Sequence, residues 1–145
     1  MKPRVFLDSS ALIAGLASPT GASNVILTLA EAEIITLVVS EEVLVEVERN
    51  LQEKLPRALP EYRRFLATCP LERGAVPSGA EVAAARQIIH PDDAPILAAA
   101  MALGIDYLVT FNRKHFLDDP EVARKSHLRL GTPGDFLAWF RNTLK

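Results

Sequence analysis

Asp8, Asp93 and Asn112 have side chains that can do chemistry, at points where folds present such groups. Asp8 directly follows the apolar run Val5-Phe6-Leu7, and Asn112 comes just past Tyr107-Leu108-Val109-Thr110. Each run reads as a buried strand, and open parallel sheets bind ligands beyond the C-terminal ends of their strands. The two positions converge if their strands are neighbours. Asp93 precedes Ile96, Leu97, Ala100 and Gly104 at i+3, i+4, i+7 and i+11. It therefore lies on the core-facing side of a helix, at its N-terminus. Asp92 is turned about 100° away. One of the two can be merely the N-cap, and two adjacent acids leave room for both roles: Asp92 as cap, Asp93 as site.

Glu46 is a further candidate, one turn after Val43 and flanked by Val45 and Val47, which read as core positions. Taken alone it is a solvated helix-face residue. The same helix carries Glu41, Glu42, Glu48 and Glu53, and spacing does not choose among them. A cluster of three carboxylates has one obvious use. Close carboxylates repel one another and stay ionised at neutral pH only when a cation joins them. Hard oxygen donors select Mg²⁺ or Mn²⁺ over zinc. Such ions activate water and stabilise a phosphoryl transition state, which makes a phosphodiester the natural substrate.

These residues need a frame, and strands alternating with helices supply it. Strands are expected at residues 5–7, 34–39, 71–76, 107–110 and 127–130. Helices are expected at residues 11–14 (capped by Ser9 or Ser10), 22–32, 41–54 (capped by Ser40), 61–68, 78–89 (capped by Ser78), 93–103 and 133–144. Pro56 and Pro60 bracket a break, Gly104 ends a helix, and a loop begins at Asn112. The alternation predicts an α/β fold, a three-layer α/β/α sandwich around a mostly parallel sheet. No repeat or linker divides it, so residues 1–145 read as a single domain.

Composition narrows the function classes. The 145 residues carry 16 Lys+Arg and 18 Asp+Glu, a net charge of −2. That balance excludes a protein that coats nucleic acid by bulk charge and leaves room for one that handles it at a local site. Cys69 is the single cysteine, which rules out an intramolecular disulfide and a multi-cysteine zinc motif and reads as a small buried apolar residue. The longest nearly apolar stretch, residues 94–105, is too short for a membrane span. Lys2 and Arg4 before an apolar run imitate a leader peptide, but Asp8 breaks the run. The expected setting is cytoplasmic. Neither G-x-x-x-x-G-K-[ST] nor G-x-G-x-x-G is present, which argues against an NTPase or a dinucleotide enzyme.

Four segments together resemble the PIN domain, the metal-dependent ribonuclease fold of VapC-type toxins. They are Val5-Phe6-Leu7-Asp8-Ser9-Ser10-Ala11-Leu12-Ile13, Ser40-Glu41-Glu42-Val43-Leu44-Val45-Glu46-Val47, Asp93-Ala94-Pro95-Ile96-Leu97-Ala98-Ala99-Ala100, and Asp106-Tyr107-Leu108-Val109-Thr110-Phe111-Asn112. The resemblance implies that Asp8, Glu46 and Asp93 are metal-binding carboxylates. It implies that Thr110 and Asn112 complete the site and that Ser9 or Ser10 steadies the first acid. It implies an endoribonuclease using Mg²⁺ or Mn²⁺, a small antitoxin as partner and a homodimer. One departure stands out: many relatives carry Asp where this chain has Asn112. A neutral amide binds a cation more weakly, which puts a second metal in doubt. It also raises the alternative of a weak or inactive PIN-like module that binds RNA or a protein partner. Asp118 or Asp119 can compensate, although each reads first as a solvated loop acid.

Arg113 and Lys114, with Arg124, Lys125, His127 and Arg129 further on, can meet a phosphate backbone beside the acidic pocket. An ordinary charged surface is the competing reading, because Asp118, Asp119 and Glu121 offset them. His90 and His115 have no ligand spacing with other histidines or cysteines and read as structural or surface residues. Trp139 and Phe140 read as core or a subunit interface.

Overall fold

Val5, Phe6 and Leu7 are fully buried, as strands of a parallel sheet covered on both faces must be. They belong to β1 (Arg4–Leu7), the central strand. The computed structural model describes residues 2–145. Its other strands are β2 (Thr36–Ser40), β3 (Leu71–Gly74), β4 (Tyr107–Val109) and β5 (Leu130–Gly131). All pairings are parallel and the order is β3-β2-β1-β4-β5. Helices flank the sheet in a three-layer α/β/α arrangement, with Leu12, Ile26, Val43, Leu51, Ile96, Leu97 and Phe136 among the residues of one continuous core.

The strand order places the site. The chain leaves β1 on one side to build β2 and β3, then crosses back to build β4 on the other side. A crevice opens where the order reverses, at the C-terminal ends of β1 and β4. Those ends carry Asp8 and Thr110, since Leu7 pairs with Val109.

The helices are α1 (Ser9–Ala17), α2 (Ala22–Glu31), α3 (Glu41–Lys54), α4 (Leu59–Thr68), α5 (Gly79–Arg86), α6 (Ala94–Ala102), α7 (Pro120–Ser126) and α8 (Pro133–Thr143). Three boundaries follow their expected chemistry. Ser40 caps α3, Ser78 caps α5 in a reciprocal box with Glu81, and Gly104 adopts φ +61 just past α6. Only a residue without Cβ takes that last conformation at low cost.

Several boundaries differ from expectation. α1 is longer and is capped by the Asp8 side chain, which accepts the Ser9 N–H, not by Ser9 or Ser10. Pro60 sits in the first turn of α4, where a missing N–H costs nothing, so it begins the helix instead of breaking the chain. α5 stops at Arg86, with turns to Ile89. Ile34 is exposed, and β2 begins at Thr36. His127 has φ +60 and terminates α7, so the last strand starts only at Leu130. The expected loop after Asn112 is a π-helical turn, Arg113–Leu117, followed by α7. Cys69 is buried, and burial pushes its thiol up to about 11. Trp139 and Phe140 join Tyr107 and Phe136 in an aromatic cluster, with the Arg129 guanidinium 4.9 Å over the Trp139 ring.

Candidate metal centre

Asp8 is 4% exposed. Its backbone N–H donates to Val109 O at 3.0 Å, which carries the β1–β4 ladder one step past the strand end. Its two carboxylate oxygens are then held separately. Oδ1 accepts the Ser9 N–H at 2.7 Å, and Oδ2 accepts the Thr110 hydroxyl at 2.8 Å. Oδ1 also lies 3.4 Å from the Ser9 hydroxyl, and Oδ2 keeps a free lone pair, since a carboxylate offers about four acceptor sites.

Ser9 links Asp8 to Glu46. Its hydroxyl donates to Glu46 Oε2 at 2.7 Å, drawing a half-buried acid of α3 towards the end of β1. Glu42 and Glu48 are exposed, and so is Val45, contrary to its expected core position. Val45 instead lines an apolar pocket with Val76, Pro77, Val82 and Pro95. Val43 and Val47 bury the face of α3 that orients Glu46. Ser10 does not touch Asp8; its Oγ accepts the Phe111 N–H at 3.1 Å, tying α1 to the chain after β4.

Asp93 occupies the N-cap position of α6 but makes no capping hydrogen bond with its side chain. Nor does Asp92 act as the cap: its carboxylate is exposed, and the turn Pro91–Asp93 is capped by His90 Nδ1, which accepts the Asp92 N–H at 3.1 Å. The free Asp93 carboxylate turns instead to the segment after β4. Its Oδ2 lies 2.5 Å from His115 Nδ1 and 3.5 Å from Asn112 Nδ2.

Asn112 is committed on both sides. Its N–H donates to Thr110 Oγ1 at 3.0 Å, and its Oδ1 accepts the His115 N–H at 3.1 Å, capping the π-helical turn. The amide therefore presents its donor to Asp93. Asp119 caps α7 by accepting the Glu121 N–H, and Asp118 is exposed, so neither stands in for an acid at position 112.

The electrostatics follow from this packing. Burial raises the Asp8 carboxyl above its ordinary value; the Thr110 and Ser9 hydrogen bonds oppose it, and the Asp93 charge adds to it. Burial likewise raises Glu46, the Ser9 hydroxyl opposes it, and the charges of Asp8, Glu42 and Asp93 add to it. Two acids with raised proton affinity, beside the charge of Asp93, present oxygen donors of the kind a hard divalent cation takes.

The basic residues divide by place. Arg113 and Lys114 are exposed in the turn that follows Asn112. Arg124 pairs with Glu121. His127 and Arg129 line a cavity with Asp106, ahead of β4 and β5 and thus at the opposite end of the sheet from Asp8.

Sequence reasoning missed the histidines. His90 and His115 stack with ring centroids 4.3 Å apart and planes 4° apart, beside Asp93. A signal was present: His90 lies three residues before Asp93, and His115 three after Asn112. That spacing brings residues together only on helical turns, and neither turn was expected there.

A PIN domain family model matches residues 4–114. The chain belongs to the PIN domain family. Among solved structures, VapBC2 from Rickettsia felis, crystallised bound to a DNA fragment from its promoter, superposes with a TM-score of 0.65 at 20% identity over 89% of this chain and 98% of that one. PAE2754 from Pyrobaculum aerophilum superposes with a TM-score of 0.63 at 17% identity over 97% of this chain and 90% of that one. Both show the same fold. Among functionally curated proteins, none matches the chain by sequence. Within the PIN fold, the residues joined here are Asp8, Ser9, Glu46, Asp93, Thr110 and Asn112, with Ser10 and Asp92 directed elsewhere.

Proposed function

We propose that this PIN domain is a metal-dependent endoribonuclease, with Asp8, Glu46 and Asp93 as ligands of Mg²⁺ or Mn²⁺. The carrying observation is the hydrogen-bonded chain Glu46–Ser9–Asp8–Thr110–Asn112–Asp93 at the β1–β4 switch point, in which burial raises the Asp8 and Glu46 carboxyls. A bound divalent ion supplies a water nucleophile at neutral pH and charge stabilisation at a phosphodiester. The chain's own residues do the positioning. Thr110 and Ser9 hold the Asp8 oxygens apart, Ser9 fixes Glu46, and the Asn112 amide faces Asp93. Arg113 and Lys114 stand beside the pocket to meet the RNA backbone. RNA cleavage with Mg²⁺ or Mn²⁺, abolished by EDTA and by Asp8→Asn, is the expected result. Cleavage that survives Asp93→Asn removes the site assignment.

The likeness to VapBC2 supports a toxin role with a small antitoxin as partner; a homodimer and a cytoplasmic setting belong to the same proposal. No single helix among the described residues is long and apolar enough to cross a membrane. Growth arrest on expression, relieved by Asp8→Asn, tests the toxin role. Harmless expression of an RNA-cleaving protein removes it. A second reading, a PIN-like module that binds RNA or a protein without cutting, is favoured by the Asn112 oxygen, which is engaged in capping. Absence of Mg²⁺ and Mn²⁺ binding at millimolar concentration decides for it.

A further inference from the structure

The three-carboxylate reading leaves the nitrogen side of the site unused. His90, Asp93 and His115 each present a ligand atom, and these atoms lie within 4.8 Å of one another. Asn112 turns its Nδ2 towards Asp93 while its Oδ1 caps the following turn. The hydrogen-bonding neighbours of Asp93 Oδ2 are thus an imidazole nitrogen and an amide nitrogen.

We propose that His90, Asp93 and His115 form a second cation position, suited to a divalent transition-metal ion that accepts imidazole, such as Zn²⁺ or Mn²⁺. Two imidazoles and one carboxylate are a borderline donor set; Mg²⁺, which prefers oxygen donors and retains water, is not matched to it. His115 Nδ1 already points at Asp93 Oδ2 across 2.5 Å. An ion bound at roughly 2.0–2.2 Å from each atom replaces the shared proton and spreads the pair by somewhat under ~1 Å. His90 must turn about its Cβ–Cγ bond, since one ion cannot lie in the planes of two stacked rings. Its side chain is 45% exposed and gives up the bond from the Asp92 N–H and the stack on His115. Asp93 is then shared between this position and the acidic pocket. The proposal goes beyond the nuclease reading, because it concerns which ion the chain holds and through which atoms.

Calorimetric titration of the full chain with Zn²⁺ tests it, using wild type, Asp8→Asn and the double variant His90→Gln/His115→Gln. The expected result is Zn²⁺ binding weakened at least tenfold in the double variant and changed less than threefold in Asp8→Asn. A ¹⁵N spectrum of the wild-type imidazoles needs no variant. Zn²⁺ shifts His90 and His115 nitrogens and leaves His127, at the far end of the sheet, as the reference. Equal Zn²⁺ affinity in the double variant, or unshifted His90 and His115 signals, overturns the site. Zn²⁺ held at the histidines of a protein that cuts no RNA upholds this site and removes only the nuclease reading. RNA cleavage without Zn²⁺ at the histidines does the reverse.

Discussion

Thr110 donates its hydroxyl proton to Asp8 Oδ2 across 2.8 Å and accepts the Asn112 N–H on the same oxygen at 3.0 Å. One buried hydroxyl thus joins the end of β1 to the segment after β4. Thr110 is fully buried and Asp8 nearly so.

Thr110→Val keeps the shape and removes both bonds. It is expected to cost about 1–3 kcal/mol, the range for leaving a buried polar partner unsatisfied. Urea denaturation of the metal-free protein measures this, and a loss below ~0.5 kcal/mol argues against the bond.

Asp8 and Glu46 both bind protons more tightly folded than unfolded. Their contribution to stability is therefore present in acid and is lost as pH rises from the ordinary carboxylate values, 3.8 and 4.5, through their raised ones. In EDTA, Glu46→Gln should remove part of that slope and raise the melting temperature at neutral pH relative to wild type. Mg²⁺ should stabilise wild type most, by mass action on the folded state. Thermal melts across pH, with EDTA and with Mg²⁺, check both signs.

The two serines separate. Ser9 bridges to Glu46, whereas Ser10 meets only the Phe111 backbone. Ser9→Ala should weaken Mg²⁺ binding several-fold, and Ser10→Ala should change it less than twofold. Parallel metal titrations test the order; equal effects contradict the bridging role of Ser9.

Gly104 sits at φ +61 after α6. Gly104→Ala should destabilise by about 1–2 kcal/mol, the cost of a Cβ in the left-handed region. A Cβ there meets no atom within 4 Å, so the loss isolates backbone strain from clash. Denaturant midpoints of the two proteins give the number.

Apolar runs such as Val5-Phe6-Leu7 and Tyr107-Leu108-Val109 announce their strands because burial on both faces demands them. Ser40, Ser78 and Gly104 mark helix ends through chemistry that acts within one turn. The short edge strand β5 was misjudged because His127 looks like any strand residue until its positive φ is seen. Asp92 looked like a cap because Asp is a good one, yet the imidazole of His90 took that role.

The sequence by itself determined the alternation of strands and helices, the acid after the first strand and the acid on the buried face of α6. Those are local facts, carried by hydrophobic period and by neighbours within a helical turn. Only the tertiary structure decided which serine touches Glu46, that Asn112 turns its nitrogen to Asp93, and that two histidines 25 residues apart stack beside that acid. Such contacts depend on where the strand order reverses and how each turn is wound. Residue spacing along the chain does not record the strand order, and it hints at the winding of a turn only where a turn is already expected.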